Sequence, residues 1–141
     1  IKKRIRLSDP VESIKKEMKK LSSKADIFIL LTHQGYDLDV EFAKKIDGLD
    51  LIVGSHSQTK IESPKEVNDA LIVQAGKSGY YVGIVEIKTN RGKVVEKSGR
   101  IDTMKFDMPD DPRIMKMIEE YESKTGRMNM RKKKLKEKAN G

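Results

Sequence analysis

The fold is decided by one stretch of the sequence, Ile27-Phe28-Ile29-Leu30-Leu31-Thr32-His33-Gln34-Gly35. It begins with five consecutive apolar residues, a pattern typical of a strand that is covered on both faces. A second strand of this kind, Leu51–Val53, leads into Gly54-Ser55-His56-Ser57-Gln58. Between them, residues 37–46 have the periodicity of a helix, with Leu38, Phe42 and Ile46 on one face. The sequence therefore predicts a βαβ unit with parallel strands.

The rest of the chain adds elements on both sides of this unit. Asp9 and Pro10 are typical of a helix start, and residues 1–7 read as an edge strand or a lead-in. Four later segments are predicted from their periodicity and turn residues: a short strand at residues 71–73 after a loop at residues 63–66, an antiparallel hairpin at residues 82–96, a further strand at residues 99–106, and a last amphipathic helix at residues 114–121. The predicted fold class is α/β.

Composition and charge limit the class of protein. The 141 residues are enough for one domain, and the charged fraction of 37% indicates an extended surface or tail. Of the net charge of +8, a large share comes from residues 127–138, which hold seven basic residues and one acid. We expect residues 1–122 to form a domain and residues 123–141 a basic helical or disordered tail. Nucleic-acid binding through residues 131–138 is the less favoured alternative, because no aromatic side chain lies among these lysines.

Two features that the sequence lacks limit the kinds of bond, metal site and segment that the chain can contain. The chain has no cysteine, which excludes disulfides and thiolate metal sites. No run approaches the ~20 apolar residues that a membrane-spanning helix needs. Because the chain begins with Ile1 rather than methionine, we treat residue 1 as an internal position of a longer protein.

The only two histidines follow the two predicted parallel strands. His33 lies two residues beyond the first strand, and His56 lies three residues beyond the second. Ligands of open α/β sheets bind beyond the carboxyl ends of the strands, and neighbouring strands are ~4.8 Å apart. Both imidazoles could therefore reach one cation, and Gln58 could offer an amide oxygen to that ion or its neighbour. The alternative is that these are ordinary hydrogen-bonding loop residues.

Acidic ligands would be expected at such a site as well. The nearest candidates, Asp37 and Asp39, are better explained as capping residues of the second helix. The sequence thus contains about half of a metal site.

Three motifs, in order and spacing, resemble those of calcineurin-like metallophosphoesterases of the 5′-nucleotidase type. They occupy residues 29–37, 48–59 and 73–76. Residues 79–83 are also similar to a strand entry of the family, and the resemblance extends over residues 8–122. It implies part of an αββα sandwich that holds two divalent metal ions, most simply zinc or manganese, at its strand ends. By this resemblance His33 and His56 would bind one ion and Gln58 the other. Glutamine stands where many relatives have histidine, which indicates the nucleotidase branch.

The sequence also departs from the family pattern. The Asp-x-His, Gly-Asp-x-x-Asp and Gly-Asn-His-Asp/Glu motifs of the family's first half do not occur here, so the bridging carboxylate and the catalytic histidine are missing. The separate nucleotide-binding domain is missing too. The resemblance implies the C-terminal half of a phosphoesterase domain that acts on phosphomonoesters, with nucleotides as the natural candidates. It also implies that the N-terminal half is the partner and that the protein is periplasmic or extracellular.

Two functions follow for this chain. Completed by its first half, it would belong to an enzyme, whereas alone it should be inactive and contain no catalytic residue. The alternative is a structural or interaction half-domain that packs on a partner without catalysis. Half a sandwich exposes sheet edges and an apolar face, so we predict that the isolated chain does not fold alone.

Overall fold

The computed structural model describes residues 7–125, which form two compact units, one up to Met104 and one from Lys105. Among the described residues, the first unit contains two helices, a four-stranded sheet and a long hairpin. The second contains a third helix. The predicted α/β class is confirmed, with its parallel strands, antiparallel hairpin and C-terminal helix.

The sheet consists of β1 (Ile29–Leu31), β2 (Leu51–Val53), β3 (Lys65–Val67) and β4 (Ala70–Val73), in the spatial order β1-β2-β4-β3. β1, β2 and β4 are parallel, and β3 runs antiparallel to β4. The predicted βαβ unit is therefore present. Its parallel strands end together at one edge, which is where the two histidine-containing loops begin.

Two helices cover one face of the sheet. Helix α1 (Pro10–Leu21) begins where predicted, because the Asp9 carboxylate accepts a hydrogen bond of 2.9 Å from the Glu12 backbone N–H. Helix α2 (Tyr36–Lys45) follows β1. Both pack on a core that is built around the central strands and the end of α2: Phe42, Ala43, Ile46, Leu49, Ile52, Ala70 and Ile72. Each fully buried isoleucine contributes about 1.5–3 kcal/mol relative to exposure.

The face of β1 that carries Ile29 and Leu31 is more exposed than predicted. The apolar run was expected to be covered on both sides, but Ile29 is 52% and Leu31 76% exposed. β1 is an edge strand, and the hairpin forms a separate two-stranded sheet. Leu38 was likewise expected to lie on the buried face of α2 but is 47% exposed.

Two predictions for the later strands were wrong. The segment at residues 63–66, expected to be a loop, contains the start of β3, which turns into β4 through Asn68 and Asp69, both with positive φ. The strand predicted from Gly99 is not separate, since β6 (Lys93–Thr103) continues through it and pairs with β5 (Tyr81–Asn90) from end to end, apart from a bulge at Val95. Gly99 interrupts the apolar pattern because a Cβ there would lie 2.9 Å from the Pro64 ring.

The second unit holds α3 (Pro112–Thr125), which confirms the predicted last amphipathic helix. The Asp111 carboxylate accepts a 2.8 Å hydrogen bond from the Arg113 backbone N–H, and its hydrogen bonds with Arg113 hold the pKa of Asp111 below its usual value. The division into residues 1–122 and 123–141 stays a prediction. The basic segment at residues 127–138 and, apart from Leu7, the edge strand or lead-in expected at residues 1–7 lie outside the described residues. Within residues 7–125, no helix combines the length and apolarity needed to cross a membrane.

Candidate functional site

Two loops leave the same edge of the sheet side by side. The parallel ladder continues one residue past each strand: the Thr32 N–H donates to the Val53 carbonyl at 3.0 Å, and the Gly54 N–H donates to the Val73 carbonyl at 2.9 Å. The loops that follow β1 and β2 therefore start in register, one strand spacing apart. Because the two loops start in register, residues that are separated by 21 to 23 positions in the sequence come into contact.

The structure places His33 and His56 together. The Nδ1 atom of His56 lies 3.4 Å from the Nε2 atom of His33, and the ring centroids are 5.1 Å apart with the rings inclined at 72°. Both side chains are exposed. A Cβ on Gly35 would lie 3.9 Å from the His56 ring, so the imidazole rests on the start of α2. Two imidazole nitrogens thus face each other at the open edge of the sheet.

His56 occupies an unusual backbone conformation. Its φ is +74°, and the Ser57 N–H donates to the Ser55 carbonyl at 3.0 Å, two residues back. This combination is the rarer and more strained of the two γ-turn forms. Gln58 also has a positive φ, of +54°. Strained backbone of this kind persists only where the surroundings determine it strongly, and it concentrates at functional sites.

The Ser57 hydroxyl connects three segments at this edge. It donates to the Gln74 side-chain carbonyl at 2.9 Å and accepts from the Tyr36 backbone N–H at 3.1 Å and from the Thr59 hydroxyl at 3.0 Å. One donor and two lone pairs are the full capacity of a hydroxyl group. The segment between His56 and Gln58 is therefore tied to the start of α2 and to the end of β4.

Gln58, the third predicted ligand, is exposed and lies in the same loop as His56. The close contact at this edge joins the two imidazoles, and the Gln58 amide is not part of it. Within the described part of the chain, no group of three or more His, Cys, Asp or Glu side chains is arranged to hold a metal ion. The pair of histidines is the part of the predicted set that the structure brings together.

Asp39 has a different role from the predicted one. Neither it nor Asp37 caps α2: the N-cap residue is Gly35, which makes no side-chain hydrogen bond. Instead, Asp39 is fully buried beneath the two loops, where its Oδ1 accepts a 2.5 Å hydrogen bond from the Thr32 hydroxyl. Its Oδ2 is buried without a partner among the described residues. Burial raises the pKa of Asp39, while the Thr32 hydrogen bond acts in the opposite direction more weakly.

Gly54 is fitted against this carboxylate. A Cβ at position 54 would lie 2.1 Å from Asp39 Oδ2. Asp39 therefore contacts the first residue of each loop, Thr32 after β1 and Gly54 after β2. A signal for this existed in the sequence, because Asp39 lies three and four residues before the buried Phe42 and Ala43 and so shares their helix face.

The comparisons with known proteins agree on the class of relatives, although no family model matches the chain. The chain is 38% identical over 81 residues to an uncharacterized metallophosphoesterase, YunD, of Bacillus subtilis (strain 168). The aligned region covers 57% of this chain and 18% of YunD. The chain is 31% identical over 140 residues to an apyrase of Aedes albopictus, which covers 82% of this chain and 25% of the apyrase.

A solved structure shows the same fold. The 5′-nucleotidase precursor of Thermus thermophilus superposes with a TM-score of 0.70 and 24% identity, over 84% of this chain and 27% of that protein. The chain therefore spans about a quarter or less of the length of these relatives.

Proposed function

Because this chain is a homologue of metallophosphoesterases, 5′-nucleotidases and apyrases, we propose that it forms part of a dinuclear-metal phosphoesterase. The proposed substrates are phosphomonoesters, with nucleotides as the first candidates. The observation that carries the proposal is the contact between the imidazole nitrogens of His33 and His56 at the carboxyl edge of the parallel strands.

The spacing of these nitrogens suits a shared cation. Two nitrogen ligands of a tetrahedral zinc ion, each at ~2.0–2.1 Å, lie ~3.3–3.4 Å from each other. The observed separation is 3.4 Å, which is long for a hydrogen bond between two nitrogens. We propose that His33 and His56 hold one ion, zinc or manganese, and that Gln58 contributes its amide oxygen to the second.

Such ions, when bound, polarise a phosphate ester and supply a hydroxide nucleophile at neutral pH. The residues of this chain orient the ligands for that chemistry. His33 presents Nε2 and His56 presents Nδ1, each as an unprotonated nitrogen when coordinating. The strained turn at His56 and the packing of its ring on Gly35 fix the direction of that nitrogen.

We further propose that the site is completed by a segment outside this chain, either in the same precursor or on another chain. Two cations a few ångströms apart repel each other strongly without a bridging carboxylate, and the described residues offer no such cluster. The exposed outer face of β1 supports this proposal, since Ile29 and Leu31 present a bare apolar edge strand. On the same side of the sheet, a cavity of about 250 Å³ is lined by Leu51 and Val53 and by Val85 of the hairpin. The isolated chain is accordingly proposed to be inactive.

The described residues 7–125 contain no group of three or more His, Cys, Asp or Glu side chains arranged to hold a metal, and this also supports a second candidate, a half-domain that packs on a partner without catalysis. The two candidates differ in metal content. A periplasmic or extracellular location is part of the first proposal and is tested by fractionating the cells that produce the protein.

The decisive experiment compares the full-length gene product with the 141-residue chain. Bound zinc and manganese are measured by mass spectrometry, and phosphate release is measured from a nucleoside monophosphate. The full-length product should bind metal and release phosphate, and His33→Ala and His56→Ala should each lose both. Gln34→Ala, an exposed neighbour in the first loop, serves as the control and should keep both. A full-length product without metal would refute the enzymatic proposal and favour the half-domain.

A further inference from the structure

We propose that Ser57 and Gln74 are positioning residues, whose hydrogen bond holds the strained turn at His56 so that its Nδ1 atom faces Nε2 of His33. This inference deepens the proposed function and rests on it only for the identity of the bound ion. The geometric part, that the two imidazoles are kept together by this hydrogen bond, stands on the contacts alone.

The turn at His56 needs support from outside itself. With a φ of +74°, a non-glycine residue is in a conformation that its own side chain disfavours. The single hydrogen bond from the Ser57 N–H to the Ser55 carbonyl closes the turn but leaves the loop exposed to solvent. An unrestrained loop of this kind would relax, and the imidazole would turn away from His33.

Ser57 supplies the missing restraint. Its hydroxyl uses all three of its hydrogen-bonding positions, and its partners belong to three different segments: the start of α2, the second loop itself and the end of β4. The α2 partner, the Tyr36 N–H, is three residues from His33. The same hydroxyl therefore fixes the second loop relative to the first.

Gln74 anchors this arrangement to the sheet. It directly follows β4, is only 4% exposed, and its backbone carbonyl accepts a 3.0 Å hydrogen bond from the Ile61 N–H. Its side-chain carbonyl receives the Ser57 hydroxyl, while its Nε2 group is buried with no partner among residues 7–125. Burying half of an amide unpaired is costly, and an apolar residue would avoid that cost. The glutamine is therefore explained by its acceptor oxygen.

The test separates positioning from general stability. In the full-length gene product, the nuclear Overhauser effect between the two imidazole rings is recorded without metal, and zinc affinity is then measured by titration. Ser57→Ala and Gln74→Leu should abolish the ring-to-ring signal and weaken zinc binding by about 10–100-fold, as for other groups that orient metal ligands. Ser57→Thr keeps the hydroxyl and should restore both.

Two further variants keep the outcome interpretable. Ile72→Val, in the core away from the loops, should lower the melting temperature while leaving the ring contact and zinc affinity unchanged. Thr59→Val removes only one of the hydrogen bonds to Ser57 and should have an intermediate effect, even if the stronger variants fail to fold. A ring contact that survives in Ser57→Ala and Gln74→Leu, or is lost equally in Ile72→Val, overturns the inference. If the wild-type protein shows the contact but binds no zinc, the proposed function fails and the positioning role is retained.

Discussion

Replacing Gly54 by alanine should strongly destabilise the edge of the sheet that carries both loops. The new Cβ would lie 2.1 Å from Asp39 Oδ2 and 3.2 Å from its Cγ, so the carboxylate would have to move by more than about 1 Å to reach normal contact distance. Asp39 is fully buried and held by the Thr32 hydroxyl, so that movement would disturb this hydrogen bond and the packing around the carboxylate. Overpacking of this kind costs about 1–3 kcal/mol. Loss of the hydrogen bond adds about 1–2 kcal/mol.

The assay is chemical denaturation of the full-length gene product, with the free energy of unfolding as the measured quantity. Gly83→Ala is the matched control, because its Cβ would lie 3.7 Å from that of Ala75, an ordinary contact, and should change stability little. If the clash with Asp39 is the cause, the double variant Gly54→Ala with Asp39→Ala should show a favourable coupling of about 0.5–3 kcal/mol. A Gly54→Ala protein that is as stable as the wild type, or strictly additive single variants, would refute the reasoning.

Three other perturbations test separate parts of the structure. Burial raises the pKa of Asp39 above its ordinary 3.8, so the folded state retains that proton at higher pH than the unfolded state. The stability that Asp39 contributes is full below pH 3.8 and falls as the pH rises toward its folded pKa. The advantage of Asp39→Asn over the wild type in unfolding free energy should therefore grow across that window and then level off; a constant difference would contradict this. Asn68 has a φ of +48°, and its side-chain amide donates to the Ala43 carbonyl and the Asp47 carboxylate. Asn68→Ala should therefore lower the free energy of unfolding by about 1–3 kcal/mol, whereas Asn68→Gly should recover only the part of this loss that comes from the positive φ. The isolated 141-residue chain should melt without a cooperative transition, and a sharp melt of the monomer would show that it folds unaided.

The central part of the fold could be predicted because its signals are local and agree with one another. The apolar runs ending at Leu31 and Val53 flank a helix of the right length, and such a unit has essentially one handedness and one strand direction. That geometry also brought His33 and His56 to the same edge, where the structure has them in contact.

The errors have physical reasons that the sequence pattern does not contain. β3 was missed because Lys65 and Glu66 are polar, as is usual for an edge strand that is paired on one side only. The exposed face of β1 depends on what packs against it, which a strand's own residues do not specify. An aspartate in the first turn of a helix normally serves the helix end, and Asp39 is buried instead because Gly54 leaves room for it.

Whether a cation binds between the two imidazoles is tested most directly by anomalous diffraction from crystals of the full-length gene product grown with zinc or manganese. We predict an anomalous peak within ~2.0–2.3 Å of both His33 Nε2 and His56 Nδ1. Crystals that contain the metal elsewhere, with no peak between these two nitrogens, would contradict the phosphoesterase assignment of this site.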